Sequence, residues 1–362
     1  MSKEYNSKAM DINFELLQAR VLDAIEHTNL AELHKALESI EGPTICVGSG
    51  GSKVTSAFVA KILENKNSCA VRECLPNELR FLNKAAYQNV FMSSYSAENL
   101  GVKTAFDNNL KHYLLTAKEA PEGTVGLEYK TNMEREDSFI AIAGTLIPMA
   151  IMLTYYCGKE NAIEAIKQTF KKTEQEIANV KLCNENAYDI MTDGMFSSAA
   201  TFLESTMVEG ALGTPTISEK YDYVHGRSTT AHVDKDRALI YLLGQKTELD
   251  DMMLTLAKKT LYKDKMTVVK VENEDPILAD FEMTVKSMYL CQKLAHQKQI
   301  DLSMMSGADG ERMNFKPSPV KYAQSLTELE PEGKKWNEEF VSFNGKTNEG
   351  NVTKFLEQLP KK

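Results

Sequence analysis

Two short polar turns in this sequence carry residues that can hold an anion. The first, Gly48-Ser49-Gly50-Gly51-Ser52, follows the apolar run Ile45-Cys46-Val47 and precedes the apolar pattern of Lys53 to Leu63. A strand, a tight loop and a helix start are the expected setting. Glycines let a backbone approach a ligand closely, and the free N–H groups of a first helical turn, with the Ser52 hydroxyl, suit phosphate. The same glycines also fit a tight strand-to-helix turn that binds nothing. The spacing is neither a P-loop, which needs Gly-Lys-Ser/Thr, nor the dinucleotide fingerprint. A second turn, Ser94-Tyr95-Ser96-Ala97-Glu98-Asn99, again joins a strand, Asn89 to Ser93, to a helical pattern, Val102 to Leu110.

The elements that must position these turns read as an alternation. Asn13 to Ile40 has helical spacing and predicts two packed helices before the first strand. Further strands are expected at Cys69 to Arg72 and Tyr113 to Leu115, with a helical piece from Asn77 to Leu82 and a helix over Phe139 to Tyr156 that contains Pro148. Ala162 to Val180, a helix of alternating charge, would connect to a second series: strand Ala187 to Met191, helix Ser197 to Leu212, strand Ala238 to Leu243, helix Leu249 to Lys258, strand Met266 to Val271 and helix Asp280 to His296. Such a rhythm predicts an α/β protein of two tandem, doubly wound parallel-sheet domains with helices on both faces. The expected division is a helical segment 1–41, a first domain 42–180, a second domain 181–326 and a polar tail 327–362.

Composition narrows the function classes. The chain has 362 residues, 43% hydrophobic and 26% charged, which is the profile of a globular protein with room for two cores. A formal charge of −9 argues against broad nucleic-acid binding, but leaves room for a local basic pocket. The 6 cysteines show no metal-ligand or redox spacing, so neither a zinc site nor a disulfide framework is expected. No apolar run reaches membrane-spanning length and Met1 to Tyr5 carries no signal-peptide pattern, so the expected location is cytoplasmic and no membrane partner is expected.

With both turns in place, the sequence resembles the sugar isomerase (SIS) family of phosphosugar-binding domains in its tandem form. The family's Gly-x-Gly-x-Ser loop matches Gly48, Gly50 and Ser52. Its Ser-x-Ser-Gly-Glu-Thr loop matches Ser94, Ser96 and Glu98, with Ala97 in place of Gly and Asn99 in place of Thr. A third stretch, Glu219 to Gly226, resembles Glu-Phe-x-His-Gly-Pro, with Asp222 for the Glu and Arg227 for the Pro. The matched region runs roughly from Gly42 to Ser325.

That resemblance implies a flavodoxin-like fold and a sugar-phosphate substrate whose phosphate is held by Gly51, Ser52, Ser94, Tyr95, Ser96 and Asn99. It implies chemistry by ring opening and C1/C2 proton transfer, as in fructosamine-6-phosphate deglycases and aminosugar-phosphate deaminases or isomerases; the alternative is a phosphosugar-binding regulator that has lost its chemistry. Glu209 precedes His225 by the spacing found in glucosamine-6-phosphate synthase-like enzymes, which implies Glu209 as proton-transfer base, with Glu204 as its rival, and His225 as ring-opening acid/base. Lys316, in Asn314-Phe315-Lys316, resembles a Schiff-base lysine, with Lys321 as fallback. Arg227 is a candidate contact for an extra anionic group of the substrate, against an outward salt bridge with Asp222 or Glu219. The absence of an amino-terminal cysteine speaks against a complete glutamine-dependent synthase. No cofactor and no metal are expected. A homodimer or higher homo-oligomer is expected, with His225 delivered to the pocket of a neighbouring subunit.

Overall fold

The computed structural model describes residues 5–97 and 100–304. Three helices open the chain, α1 (Lys8–Glu15), α2 (Leu17–His27) and α3 (Leu30–Glu38), where the sequence spacing predicted two. The extra division falls at Leu16, and Asn29 caps α3 by accepting from the Glu32 N–H. The first sheet follows: β1 (Thr44–Val47), α4 (Gly51–Lys66), β2 (Val71–Cys74), β3 (Asn89–Ser93), α5 (Leu100–Phe106), β4 (Lys111–Thr116) and β5 (Val125–Glu128). Two 3₁₀ turns, Pro76–Phe81 and Lys84–Ala86, lie before β3. The long helices α6 (Ala143–Cys157) and α7 (Lys159–Asn179) lead to a second series: β6 (Ala187–Thr192), α8 (Ser197–Glu209), β7 (Thr214–Glu219), the short α9 (Lys220–Asp222) and α10 (Thr229–Val233), β8 (Arg237–Leu243), α11 (Glu248–Leu256), β9 (Met266–Lys270) and α12 (Pro276–Lys298).

Every strand pairing is parallel, and the orders are β2-β1-β3-β4-β5 in one sheet and β7-β6-β8-β9 in the other. The first is the flavodoxin-like doubly wound order, and the second repeats it over the four strands found among the described residues. Two tandem parallel sheets covered by helices are therefore what the chain builds. Two strands escaped the sequence reading. β5, Val-Gly-Leu-Glu, is short and half polar, and β7 starts with Thr214-Pro215 and buries only Ser218 fully, so neither shows an apolar run. Both are edge strands, and β7 tolerates its proline for that reason.

Alternation along the strands divides the side chains between cores. Ile45, Val47, Val90, Met92 and Leu114 pack with Val102 and Ala105 of α5 on one face of the first sheet. Cys46, Phe91, Tyr113 and Leu115 point to the other face and join a continuous core with Ile190 and Ile240 of the second sheet. Helix α6 is apolar all round because it lies inside that shared core, and Pro148 is accommodated within it. Between the two halves, Lys61 of α4 reaches the wholly buried Asp280 of α12 at 2.5 Å and also donates to the Met195 carbonyl at 2.6 Å. Among the described residues no helix is long and apolar enough to cross a membrane, and no cluster of three His, Cys, Asp or Glu side chains could hold a metal.

Candidate functional site

Parallel α/β sheets bind ligands beyond the carboxyl ends of their strands, where helices start and loops meet. A cavity of about 450 Å³ stands there in the first sheet, within the range of small-molecule sites. Its floor is the first turn: Ser49, Gly51, Ser52 and Thr55 line it as β1 gives way to α4. Gly50 adopts φ +56, a conformation that glycine takes without strain, and no side chain among the described residues caps α4. Gly51 is required by packing: a Cβ there would meet Thr145 Oγ1 of α6 at 2.5 Å.

The second turn contributes Ser93 and Tyr95 to the wall. Ser94 is buried at 2% exposure, with its N–H donated to the Leu115 carbonyl, and Ser96 is half-buried; neither lines the cavity. Ala97 adopts φ +57, the left-handed region where the related motif carries glycine. Ala97→Gly is therefore expected to raise thermal stability slightly, by roughly 0.5 kcal/mol, because strain relief exceeds the entropy gained by the unfolded chain. Ala57→Gly, inside α4, should instead cost about 1 kcal/mol. Thermal melts of both variants check the sign, and a loss at Ala97 equal to that at Ala57 would contradict the strain argument.

The remaining wall comes from the segment after β5, which the sequence reading did not single out. Tyr129 through Glu136 arch over the cavity. Asp23 of α2 holds this arch, accepting from Thr131 Oγ1 at 2.5 Å, Asn132 N–H at 2.7 Å and Met133 N–H at 3.2 Å. Burial works to raise the Asp23 pKa, but these hydrogen bonds outweigh it and hold the carboxyl below its usual range. Glu136, 8% exposed, folds back on the start of α6 and accepts the N–H groups of Ile142, Ala143 and Gly144. Arg135 lies over the Tyr95 ring, 4.5 Å from its centroid. Burial pushes the Tyr129 phenol well up, with Tyr95 adding to the effect.

Four cationic side chains, Arg20, Lys118, Lys130 and Arg135, face this cavity against two carboxylates, Glu134 and Glu136. In a chain of net charge −9 that is a local reversal of sign, and it suits an anion. A basic pocket was foreseeable from composition only as a possibility. Its members come from three separate segments, α2, the end of β4 and the arch after β5, and show no cluster in the sequence.

The other expected site residues divide. Glu209 ends α8 at an exposed position, accepts from Ser205 Oγ at 2.9 Å, and has its Oε1 3.7 Å from where a Cβ on Gly50 would stand. It thus faces the first turn, although it does not line the cavity. Its rival Glu204 is half-buried earlier on the same helix. His225 and Arg227 lie on the irregular turn after β7 and are both exposed; neither lines the cavity. That turn is tied down by its inward residues: Lys220 reaches Asp250 at 3.4 Å, and the wholly buried Tyr223 hydrogen-bonds Tyr262, whose hydroxyl donates to Asp189 at 2.5 Å. Its outward residues include Tyr221 at 65% and Val224 at 43% exposure. Among the described residues Arg227 forms no ion pair with Asp222 or Glu219. Asn99 and Lys316 lie outside the described residues, as does the expected tail 327–362.

No protein-family model matches this chain, and no curated protein matches it in sequence. Solved structures do match in fold. The tagatose-6-phosphate ketose/aldose isomerase of Escherichia coli superimposes with a TM-score of 0.62 at 13% identity, over 83% of this chain and 98% of that one. The glucosamine-6-phosphate deaminase of Thermotoga maritima gives 0.58 at 16% identity, over 79% and 97%. The C-terminal domain of glucosamine-fructose-6-phosphate aminotransferase from Francisella tularensis gives 0.58 at 12% identity, over 81% and 97%. The chain shares the fold of these structures, and its two tandem parallel sheets covered by helices are the architecture that the resemblance implied.

Proposed function

We propose that this protein is an enzyme acting on a sugar phosphate, as a fructosamine-6-phosphate deglycase or an aminosugar-phosphate deaminase or isomerase. The observation that carries the reading is the cavity itself. It opens at the carboxyl ends of the first sheet, the Ser49–Ser52 turn and the uncapped start of α4 form its floor, and its lining is cationic in an acidic chain. The names of the proteins sharing the fold point to the same substrate class.

In this reading Gly51, Ser52 and Tyr95, which line the cavity, receive the phosphate, and Ser94, Ser96 and Asn99 of the second turn are further donors to it, Ser94 and Ser96 from outside the present lining. Hydroxyl and amide donors bring no net charge, so the dipole of α4 and the lysines of the lining, Lys118 and Lys130, supply the compensation. The sugar carbons then extend toward Gly50, where the Glu209 carboxylate is near enough to move a proton between C1 and C2. His225 serves the ring oxygen and Lys316 offers the amine for a ketose carbonyl. Exposure of His225 on a turn that also exposes Tyr221 and Val224 supports its delivery to the cavity of a second copy in a homodimer. The reading needs no cofactor, places the enzyme in the cytoplasm, and involves neither nucleic acid nor membrane.

A Ser52→Ala, Ser96→Ala double variant is expected to weaken binding of a ketohexose 6-phosphate at least about tenfold, since each hydrogen bond to a charged group contributes roughly 1.5–3 kcal/mol. The unphosphorylated sugar should lose less than about twofold. Calorimetry on both ligands checks this, and equal losses would remove the phosphate from the two turns. Turnover of a panel of phosphorylated ketosamines then separates the enzyme from a binding regulator, for which sugar phosphates would bind without reaction.

A further inference from the structure

Arg20 is the unusual group of the cavity wall. It is 6% exposed, yet among the described residues no carboxylate pairs with it. Its Nη1 donates to Asn13 Oδ1 at 3.0 Å and to the Asn13 carbonyl at 3.4 Å, while Nε is buried without any partner. A guanidinium kept from water with donors to spare and no counter-ion is costly, so such a group is retained where an anion arrives to complete it. Asn13 is in turn fixed by donating to the Asp137 carbonyl at 2.8 Å. Arg20 therefore reaches the cavity from α2 and is tied through Asn13 to Asp137, the residue that follows the arch 129–136.

Arg135 meets the cavity from that same arch, stacked on Tyr95. Among the described residues that line the cavity the buried carboxylate is Glu136, which is already satisfied by three N–H groups and offers little to either arginine. Planar guanidinium groups match a carboxylate better than an isolated ammonium does.

We propose that Arg20 and Arg135 form a second anion subsite, which selects sugar phosphates bearing an amino-acid carboxylate on the amine at C1. The inference rests on the sugar-phosphate reading of the cavity and names the substrate class within it. It moves the role of carboxylate contact from Arg227, which lies outside the cavity, to these two residues.

The test compares three probes by calorimetry on the full chain: fructose 6-phosphate and its glycine and methylamine ketosamine adducts. The two adducts differ by the carboxylate alone. Wild-type protein is expected to bind the glycine adduct at least about tenfold tighter than the methylamine adduct. Arg135→Gln, at an exposed position where folding is not at stake, should bring that ratio to about two or less and leave fructose 6-phosphate within about twofold. Arg20→Gln should do the same, and Arg20→Lys should restore part of the ratio. An unchanged ratio in Arg135→Gln overturns the subsite while leaving the sugar-phosphate reading in place. Equal weakening of all three probes overturns it too, by giving the arginines to the phosphate. Wild-type protein that binds none of the probes overturns both.

Discussion

Glu209→Gln is expected to lower turnover of a sugar-phosphate substrate by roughly a hundred- to ten-thousand-fold while leaving its binding within about twofold. The substitution keeps the shape of the side chain and its bond from Ser205 Oγ, and removes only the capacity to take a proton. Because Glu209 is exposed at the end of α8, the melting temperature should not move, which separates a chemical loss from a folding one. Glu204→Gln, on the same helix, is the control. If Glu204 were the base, its variant would be dead and Glu209→Gln would retain full turnover. A second arm addresses assembly. When Glu209→Gln and His225→Ala chains are allowed to exchange subunits, a shared pocket predicts recovery to at most about a quarter of the wild-type rate, since random pairing makes half the dimers mixed, each with one complete site. No recovery despite demonstrated exchange would place both groups in one chain.

What the sequence disclosed about this site follows from how local each feature is. The strand-turn-helix at Ile45 to Leu63 is contiguous, so its glycines, hydroxyls and apolar periodicity could be read together, and the structure has that arrangement. The long helices α7 and α12 were legible for the same reason. β5 and β7 were not, because an edge strand pairs on one side and buries few side chains, so its sequence lacks the signal that marks β1 or β3. Missing β5 concealed the arch that follows it. With the arch went Arg135 and Glu136, and Arg20 lies more than a hundred positions earlier on α2. Only the fold brings those charges to one cavity, since Asp23 and Asn13 on the N-terminal helices hold the arch in place.

The second large effect is expected at Gly48, where Ala should destabilise the protein by roughly 3 kcal/mol and cost sugar-phosphate binding about a hundredfold. Gly48 is buried between the end of β1 and the first turn of α4, with its N–H directed at the Cys74 carbonyl at 3.4 Å. A Cβ at this position would stand 2.3 Å from the Ser52 carbonyl oxygen and 2.6 Å from Lys53 Cα. Both atoms are backbone, so no rotamer change relieves the contact. Either the strand end or the helix start must move by about an ångström in a close-packed interior. The atoms displaced are those of the turn proposed to hold the phosphate, so binding should fall even in the fraction that remains folded. Gly51 offers the contrast: its Cβ would meet the Thr145 hydroxyl, a side-chain atom, with Thr145 Cβ at 3.8 Å. Gly51→Ala should therefore be rescued by Thr145→Ala, which opens that space, whereas no side-chain truncation should rescue Gly48→Ala. Gly194→Ala, with nothing within 4 Å of the added carbon, should stay within about 0.5 kcal/mol of wild type. Denaturation midpoints with calorimetric titration of a ketohexose 6-phosphate read both effects. If Gly48→Ala kept wild-type stability and affinity, the turn would have slack that this close approach excludes, and the placement of Ser52 at the cavity floor would lose its physical basis.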